Sequence, residues 1–430
     1  MRNSRRQFLV AVLILSLPVL GLAQDHPSGF FLTTPLSLSS GYDDNFVAES
    51  QQKVTDIASL LEAPAFTWMG STHRTSWAVD YQPEFEFFAR QPQFDAWNHS
   101  STFRFTHQIN STVSVDGGNL FFSTMDPTRR LANSILLLPR GRYLENAAYL
   151  ELVYHMNSRT KMNFRLDNAV TKMDLQGPMA GRLDDVTVAG TAEIDRSLTT
   201  RQRLSGTYSF VHVTPLHPEV WGSPTNVNLM LLGYDYDINP GLLARVSGGL
   251  VHSGSNSFTG SASIEKRLGQ MWVAAAYQRY LSFFGGAEPL SGPSLPETPF
   301  ASGLTPTSVY QVAGVRAWGK LSRRVGMEGS VQRALNGLDP QFQAVKGVIA
   351  LFRIDYMVHP RLTVFARAEH YGESVNLFTG SPYSRSRYFG GIEIALFHAP
   401  QRESPRYKHG KIPQDSIDLP IEAPDEEKIP

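Results

Sequence analysis

The feature that most constrains this chain is a two-residue period. Segment after segment alternates apolar and polar residues, and each is closed by a cluster of Gly, Asn, Ser, Asp or Pro. Strict alternation places successive side chains on opposite faces of a strand, whereas an amphipathic helix would repeat every 3.6 residues. Residues 76–90 show it plainly. Trp77, Val79, Tyr81, Pro83, Phe85 and Phe87 fall on one face, and Asp80, Gln82, Glu84 and Glu86 on the other. Pro83 is a blemish, because it has no N–H to give a ladder. Residues 161–171 repeat the pattern: Met162, Phe164, Leu166 and Val170 oppose Lys161, Asn163, Arg165 and Asp167, with Asn168 out of place. An apolar row of this length on a tilted strand covers roughly the 25 Å apolar band of a membrane barrel.

Laid end to end, the alternation gives roughly 18 strands, with 16 as the lower count. The connections alternate too. Short ones fall at 71–73, 108–110, 157–159, 198–200, 239–241, 269, 322–323 and 359–361, and the intervening ones are mostly longer, notably 123–142, 213–224, 282–305 and 372–384. Tight turns on one side and long loops on the other are the plan of an up-and-down barrel. The expected fold is therefore all-β, a transmembrane antiparallel up-and-down β-barrel over residues 33–397. An even strand count puts both termini at the tight-turn side, which in such barrels is the periplasm. Loop 282–305, with Phe283-Phe284-Gly285-Gly286 and its prolines, is the longest and the best placed to fold inward.

The flanks differ in composition. Residues 1–23 carry Arg2, Arg5 and Arg6, an apolar run from Phe8 to Leu22 and a small-residue site at Gly21-Leu22-Ala23, the order of an export signal. The apolar run is shorter than the ~20 residues a spanning helix needs. Arg5-Arg6 also fits a twin-arginine motif, but reads here as an ordinary positive start. Residues 24–32 form a short lead. Residues 398–430 are rich in Pro, carry Asp425-Glu426-Glu427 and show no period, so a disordered periplasmic tail is expected.

Composition narrows the function. Lys plus Arg number 39 and Asp plus Glu number 39, a neutral balance unlike that of a general nucleic-acid binder. With no cysteine there are no disulfides, thiolate metal sites or thiol nucleophiles. No Gly-x-Ser-x-Gly elbow, His-Glu-x-x-His pair or phosphate-binding glycine loop occurs. His212 and His217 read as loop residues rather than metal ligands. The expectation is no enzyme, no cofactor and no metal.

The polar rows carry more. If the apolar face meets lipid, the interior holds Asp80, Glu84, Glu86, Arg104, Lys161, Arg165, Asp167, Arg203, Arg353, Asp355, Arg367, Glu369, Arg387 and Glu393. Charges of both signs across a lumen create a transverse field that sorts solutes. Paired, the same charges would only brace the wall. The aromatic residues Trp68, Trp77, Trp97, Tyr149, Tyr154, Tyr208, Tyr234, Tyr236, Trp272, Tyr277, Tyr356 and Tyr388 suit interfacial girdles.

Two stretches resemble known families. Residues 388–397, with Tyr388, Gly390, Ile392, Ile394, Leu396 and Phe397, look like the closing strand of a bacterial outer-membrane barrel, whose terminal aromatic is read by the barrel-assembly machinery. Here the chain continues past it. Ser40-Gly41-Tyr42-Asp43-Asp44-Asn45-Phe46 is similar to the opening of predicted outer-membrane barrels grouped as a second family of β-barrel porins, some of which are linked to exopolysaccharide export. These resemblances imply a location in the cell outer membrane and passive diffusion of hydrophilic solutes through a mixed-charge lumen. The alternatives are an exopolysaccharide secretion component and a structural or adhesive surface barrel. Implied partners are outer-membrane lipid and lipopolysaccharide, the assembly machinery, further copies of the chain and, through the tail, periplasmic export components.

Overall fold

The computed structural model describes residues 29–46, 53–126, 140–175, 181–182, 184–217, 224–282, 308–336, 345–374 and 382–396. The export signal, the tail, Phe397 and loop 283–307 lie outside them.

The strands are β1 (Gly29–Leu32), β2 (Leu36–Asp43), β3 (Asp56–Glu62), β4 (Phe66–Ser71), β5 (Thr75–Phe88), β6 (Ala96–Gln108), β7 (Val113–Thr124), β8 (Gly141–Asn157), β9 (Thr160–Leu175), β10 (Gly181–Arg182), β11 (Asp185–Ser197), β12 (Gln202–Pro215), β13 (Thr225–Asn239), β14 (Leu242–Ser253), β15 (Ser255–Leu268), β16 (Met271–Ser282), β17 (Ser308–Lys320), β18 (Val325–Asn336), β19 (Val345–His359), β20 (Leu362–Glu373) and β21 (Tyr383–Ile394). Each pairs antiparallel with its neighbour, and β2 pairs with both β3 and β21, so the sheet closes on itself. β1 and β2 are two halves of one stave, β3 and β4 two halves of the next, and the two-residue β10 extends the ladder of β9. The result is a closed 18-stave barrel. The only helical turn among the described residues is a single 3-10 turn at Pro92–Phe94.

Local chemistry sets the turns. At one end the hairpins close in two to four residues. Asn110 Oδ1 accepts the N–H groups of Thr112 and Val113, Asn157 Oδ1 accepts that of Arg159, and the Thr199 and Ser322 hydroxyls accept those of Arg201 and of Arg324 and Val325. Short polar side chains bond their own backbone this way and favour tight reversals. At the other end the connections are longer, with one exception. β14 and β15 join through Gly254 alone, whose φ of +72° lies in the left-handed region that glycine adopts without strain.

Three prolines interrupt neighbouring staves at one level. Pro35 separates β1 from β2, Pro64 separates β3 from β4, and Pro83 sits within β5 opposite that gap. Glu62 faces Glu84 and Phe66 faces Tyr81, so residues 63–65 oppose only residues 82–83, a bulge. Side chains repair the ladder. The Ala65 N–H donates to Thr34 Oγ1 (2.6 Å) and Gln82 Nε2 donates to the Ala63 carbonyl (3.3 Å). The Pro83 carbonyl still accepts the Ala63 N–H (3.1 Å), so only the donor side of the residue is lost.

The wall is inverted relative to a water-soluble core. Leu166, Met230 and Leu250 are 64, 61 and 62% exposed, while Asp126 and Arg385 are each 1% exposed. Trp68, Trp97, Tyr154, Tyr208, Tyr277, Tyr356 and Tyr388 are among the exposed outward aromatics. Two residues expected in the girdle face inward instead. Tyr149 shares the interior face of β8 with Glu145 and Glu151, and lies under the Arg165 guanidinium at 4.3 Å. Trp272 shares the face of buried Ala274 and stacks on Trp318. In both cases strand parity outweighs aromatic character.

The last strand starts earlier and ends sooner than the sequence suggests. β21 begins at Tyr383 and stops at Ile394. Tyr388, Gly390, Ile392 and Ile394 form its outward row, whereas Leu396 lies past its end.

Candidate functional site: the barrel interior and its long-loop mouth

The seam between first and last staves is built by the Gly41–Phe46 stretch. Asp43 lies opposite Arg387 in the ladder, and it receives the Arg385 guanidinium twice, Nε to Oδ1 at 3.1 Å and Nη2 to Oδ2 at 2.6 Å. Asp44 accepts the Ser386 N–H (2.6 Å) and pairs with Lys53. Asn45 Nδ2 donates to the Ser384 carbonyl, and the Asn45 N–H donates back to Asp43 Oδ1. Phe46, fully buried, packs on Phe88 and Phe94 with ring centroids 4.6 and 5.3 Å apart.

A second connection crosses the mouth. Asp126 follows β7, yet its carboxylate meets Arg385 at 3.0 Å and Arg387 at 3.5 Å on β21. The staves of β2, β3, β5 and β6 lie between them, so the chain leaving β7 turns into the mouth. The other end of the same connection does likewise. Arg140, just before β8, donates to Glu86 Oε2 (2.6 Å) on β5 and to the Phe94 carbonyl (2.9 Å), with its guanidinium over the Phe88 ring. Arg387 also reaches Glu369 and donates to the Tyr371 hydroxyl (3.1 Å), which in turn donates to Glu369. Burial alone would push the Asp126 carboxyl up. The three arginines Arg385, Arg387 and Arg140 outweigh it and hold the group well below the usual carboxylate range.

Below the mouth, the charged residues singled out from the sequence lie on the interior face, and most of them are cross-linked. Arg104 meets Asp80 at 2.8 Å, and Asp80 also accepts the Thr67 hydroxyl. Glu84 accepts Asn98 Nδ2 at 2.7 Å. Lys161 reaches Asp195 on β11 (3.3 Å), Arg165 folds onto Asp167 (2.7 Å), and Arg203 joins Asp235 (2.6 Å). Arg353 bridges Asp355 (2.7 Å) and Glu393 (2.6 Å) over the Phe365 ring, and Arg367 pairs with Glu369. Arg245–Glu265 and Arg316–Glu328 add two pairs that sequence reasoning did not single out. It also missed Asp43, Asp126, Arg140 and Arg385. The signal for Asp43 was present in the Gly-Tyr-Asp-Asp-Asn stretch, and Arg385 shares strand parity with Arg387.

The interior charge is uneven around the wall. On β19–β21 the arginines are matched by Asp355, Glu369 and Glu393 on the same staves and by Asp43 and Asp126 from the seam and the mouth. On β7, β8, β9 and β11 the interior face carries Asp116, Glu145, Glu151, Asp167, Asp185, Glu193 and Asp195, against Lys161 and Arg165 among the described side chains. No group of three His, Cys, Asp or Glu among the described residues is arranged to hold a metal ion. No helix among them is long and apolar enough to cross a membrane, which says nothing of a barrel that crosses with strands.

No protein-family model and no curated protein sequence matches the chain. Among solved structures it is similar to OpdO of Pseudomonas aeruginosa, with 14% identity over 85% of this chain and 97% of that one and a TM-score of 0.46. It is also similar to OpdQ of the same organism (15% identity, 85% and 98% coverage, TM-score 0.45). A third is the siderophore receptor PirA, again from Pseudomonas aeruginosa (9% identity, 87% and 82% coverage, TM-score 0.42). At such distances neither cargo nor mechanism carries over.

Proposed function

We propose that this protein is an outer-membrane channel through which hydrophilic solutes diffuse along a charged lumen. The observation that carries the reading is the inversion of the wall: a closed 18-stave barrel with apolar side chains outside and ion pairs inside. Lipid satisfies no backbone group, so a closed barrel is one of the two architectures that can face it. An interior of ionised groups is stable only where water or partners reach them, and barrels of this strand number enclose an aqueous channel. The first strand begins and the last strand ends at the tight-turn end, which supports periplasmic termini. Size and charge would be filtered at the long-loop mouth, where Asp126 and Arg140 turn inward. The Gly41–Phe46 stretch, which resembles the opening of a porin family with some members linked to exopolysaccharide export, is engaged in closing the seam. That supports a barrel-building role for it rather than a cargo-specific one.

Single-channel recording of refolded protein in a planar bilayer tests this. Stable conductance steps, changed in size by Arg140→Ala, are expected. Silence from protein shown to be folded by heat-dependent gel migration would sink the channel reading and move the weight to a closed structural barrel.

A further inference from the structure

The outside of the wall carries charge as well as the inside. Among the described residues, β16 to β21 turn no carboxylate outward, and their outward charged side chains are Arg279, Arg333 and Lys346. All three stand at the long-loop ends of their strands, β16, β18 and β19. Resting on the outer-membrane reading above, we propose that these strand ends form a site for a phosphate-bearing lipid headgroup of the outer leaflet.

Three observations support it. The cations are neighbours. Register sets Arg279 opposite Gln311, Gln311 opposite Leu335 and Leu335 opposite Lys346, while Arg333 lies opposite Val348, two residues along β19 from Lys346. A diagonal pair of this kind is roughly 7–8 Å apart, so its long side chains can converge on one anion. Secondly, donors there are left over. Arg333 and Lys346 are exposed and their side chains meet no partner among the described residues, and Arg279 Nε is buried without an acceptor. The Tyr277 hydroxyl donates to Gln311 Oε1 (3.4 Å), which leaves Gln311 Nε2 as a further donor between Arg279 and Lys346. Elsewhere on the outward face polar groups satisfy one another, as in Asn119–Asn146, His212–Asn226 and His252–Asn256, and the outward Arg142 of β8 lies opposite Asp174 of β9. A buried guanidinium donor without an acceptor is costly, and phosphate oxygens suit it by accepting parallel N–H bonds. Thirdly, the surroundings are amphipathic. Toward mid-wall the same face exposes Val315, Val331 and Phe352, which suits acyl chains rather than a free ion. Beside Lys346 a concavity of about 540 Å³, also lined by Lys53, His370, Ser374 and Ser384, leaves room for the rest of a headgroup.

The test is binding of lipid A, with and without its phosphates, to the folded protein in detergent micelles, read by native mass spectrometry with inorganic phosphate as competitor. The phosphorylated lipid should bind the wild type several-fold more tightly than the dephosphorylated one. Arg279→Gln with Arg333→Gln and Lys346→Gln should remove most of that preference, while Arg142→Gln with Lys172→Gln, on the outward face of β8 and β9, should leave it unchanged. Heat-dependent gel migration checks that each variant is folded. A wild type that binds both lipids alike overturns the inference, and that comparison needs no variant to fold. A preference lost equally in both sets of variants overturns it as well, since diffuse surface charge would then suffice. Displacement of the lipid by an equal concentration of inorganic phosphate would mean a free-ion site and overturns the lipid assignment. None of these readings needs conduction. Lipid preference in a silent barrel leaves the site standing while the channel reading falls, and a conducting barrel without the preference loses the site alone.

Discussion

The Arg385 guanidinium grips the Asp43 carboxylate in a two-pronged contact, although the two residues stand 342 positions apart and belong to the last and first staves. Both side chains are buried, at 1 and 2% exposure. Removing one partner of a buried pair leaves the other charge without compensation, at a cost of about 3–5 kcal/mol. Asp43→Ala should therefore lower folding stability by that order, read as a shift in the urea midpoint of the detergent-refolded barrel. Asp44→Ala, whose partner Lys53 is 45% exposed, should cost only about 0–1 kcal/mol through its ion pair, plus the loss of its bond to the Ser386 N–H. Equal shifts in the two variants would show that the seam does not depend on the buried pair.

The arginine clamp on Asp126 should resist mild acid. The folded-state Asp126 carboxyl is held well below the usual range by three arginines that outweigh burial. A depressed folded pKa adds stability that is complete above the unfolded value, about 3.9, and is lost as pH falls through the folded one. The stability gap between wild type and Asp126→Asn should thus stay constant from pH 7 to pH 5 and narrow only in stronger acid. Urea titrations at a series of pH values measure it. A gap that closes between pH 7 and pH 5 would contradict the arginine clamp.

The barrel plan was legible in the sequence because it is written locally. A two-residue period and turn residues such as Asn110, Asn157 and Gly269 need no distant partner to be read. Parity alone put Asp80, Glu84 and Arg165 on the polar face. Partnership was not legible, since it depends on register and closure. Arg385 meets Asp126 across 259 positions, and Arg353 meets Glu393 across 40. The inward placement of Asp126 and Arg140 was hidden for the same reason, and length drew attention to loop 282–305 instead. Tyr149 and Trp272 were placed outward on chemical type, although their parity with Glu151 and Ala274 already pointed inward.

Arg353 offers a cycle that separates bracing from specific charge. It holds both Asp355 and Glu393 and stacks on Phe365. Arg353→Leu should destabilise by about 3–5 kcal/mol, because Glu393 stays behind in a poorly solvated place. The double variant Arg353→Leu/Glu393→Leu should recover the share of that loss that belongs to Glu393, since replacing both charges of a pair with packed apolar groups is often neutral, while the share from Asp355 remains. Thermal unfolding of the set gives the coupling energy. An additive result would mean that water, rather than Arg353, satisfies Glu393.

The seam also sets a steric condition at Gly41. A Cβ there would stand 2.0 Å from the Tyr388 carbonyl oxygen and 2.6 Å from the Phe389 ring. The first obstacle is backbone, and it belongs to the strand that must pair with β2 for the sheet to close. Gly41→Ala is therefore expected to act on closure rather than on the free strands. The cost should reach at least the about 1–3 kcal/mol typical of overpacking. It should appear as a loss of the heat-resistant compact band on a gel and slower folding into detergent. Gly190→Ala, in mid-wall with its nearest neighbour atom at 3.7 Å, is the matched control and should fold as the wild type does. If the two variants fold alike, β2 and β21 pair less closely than the structure shows.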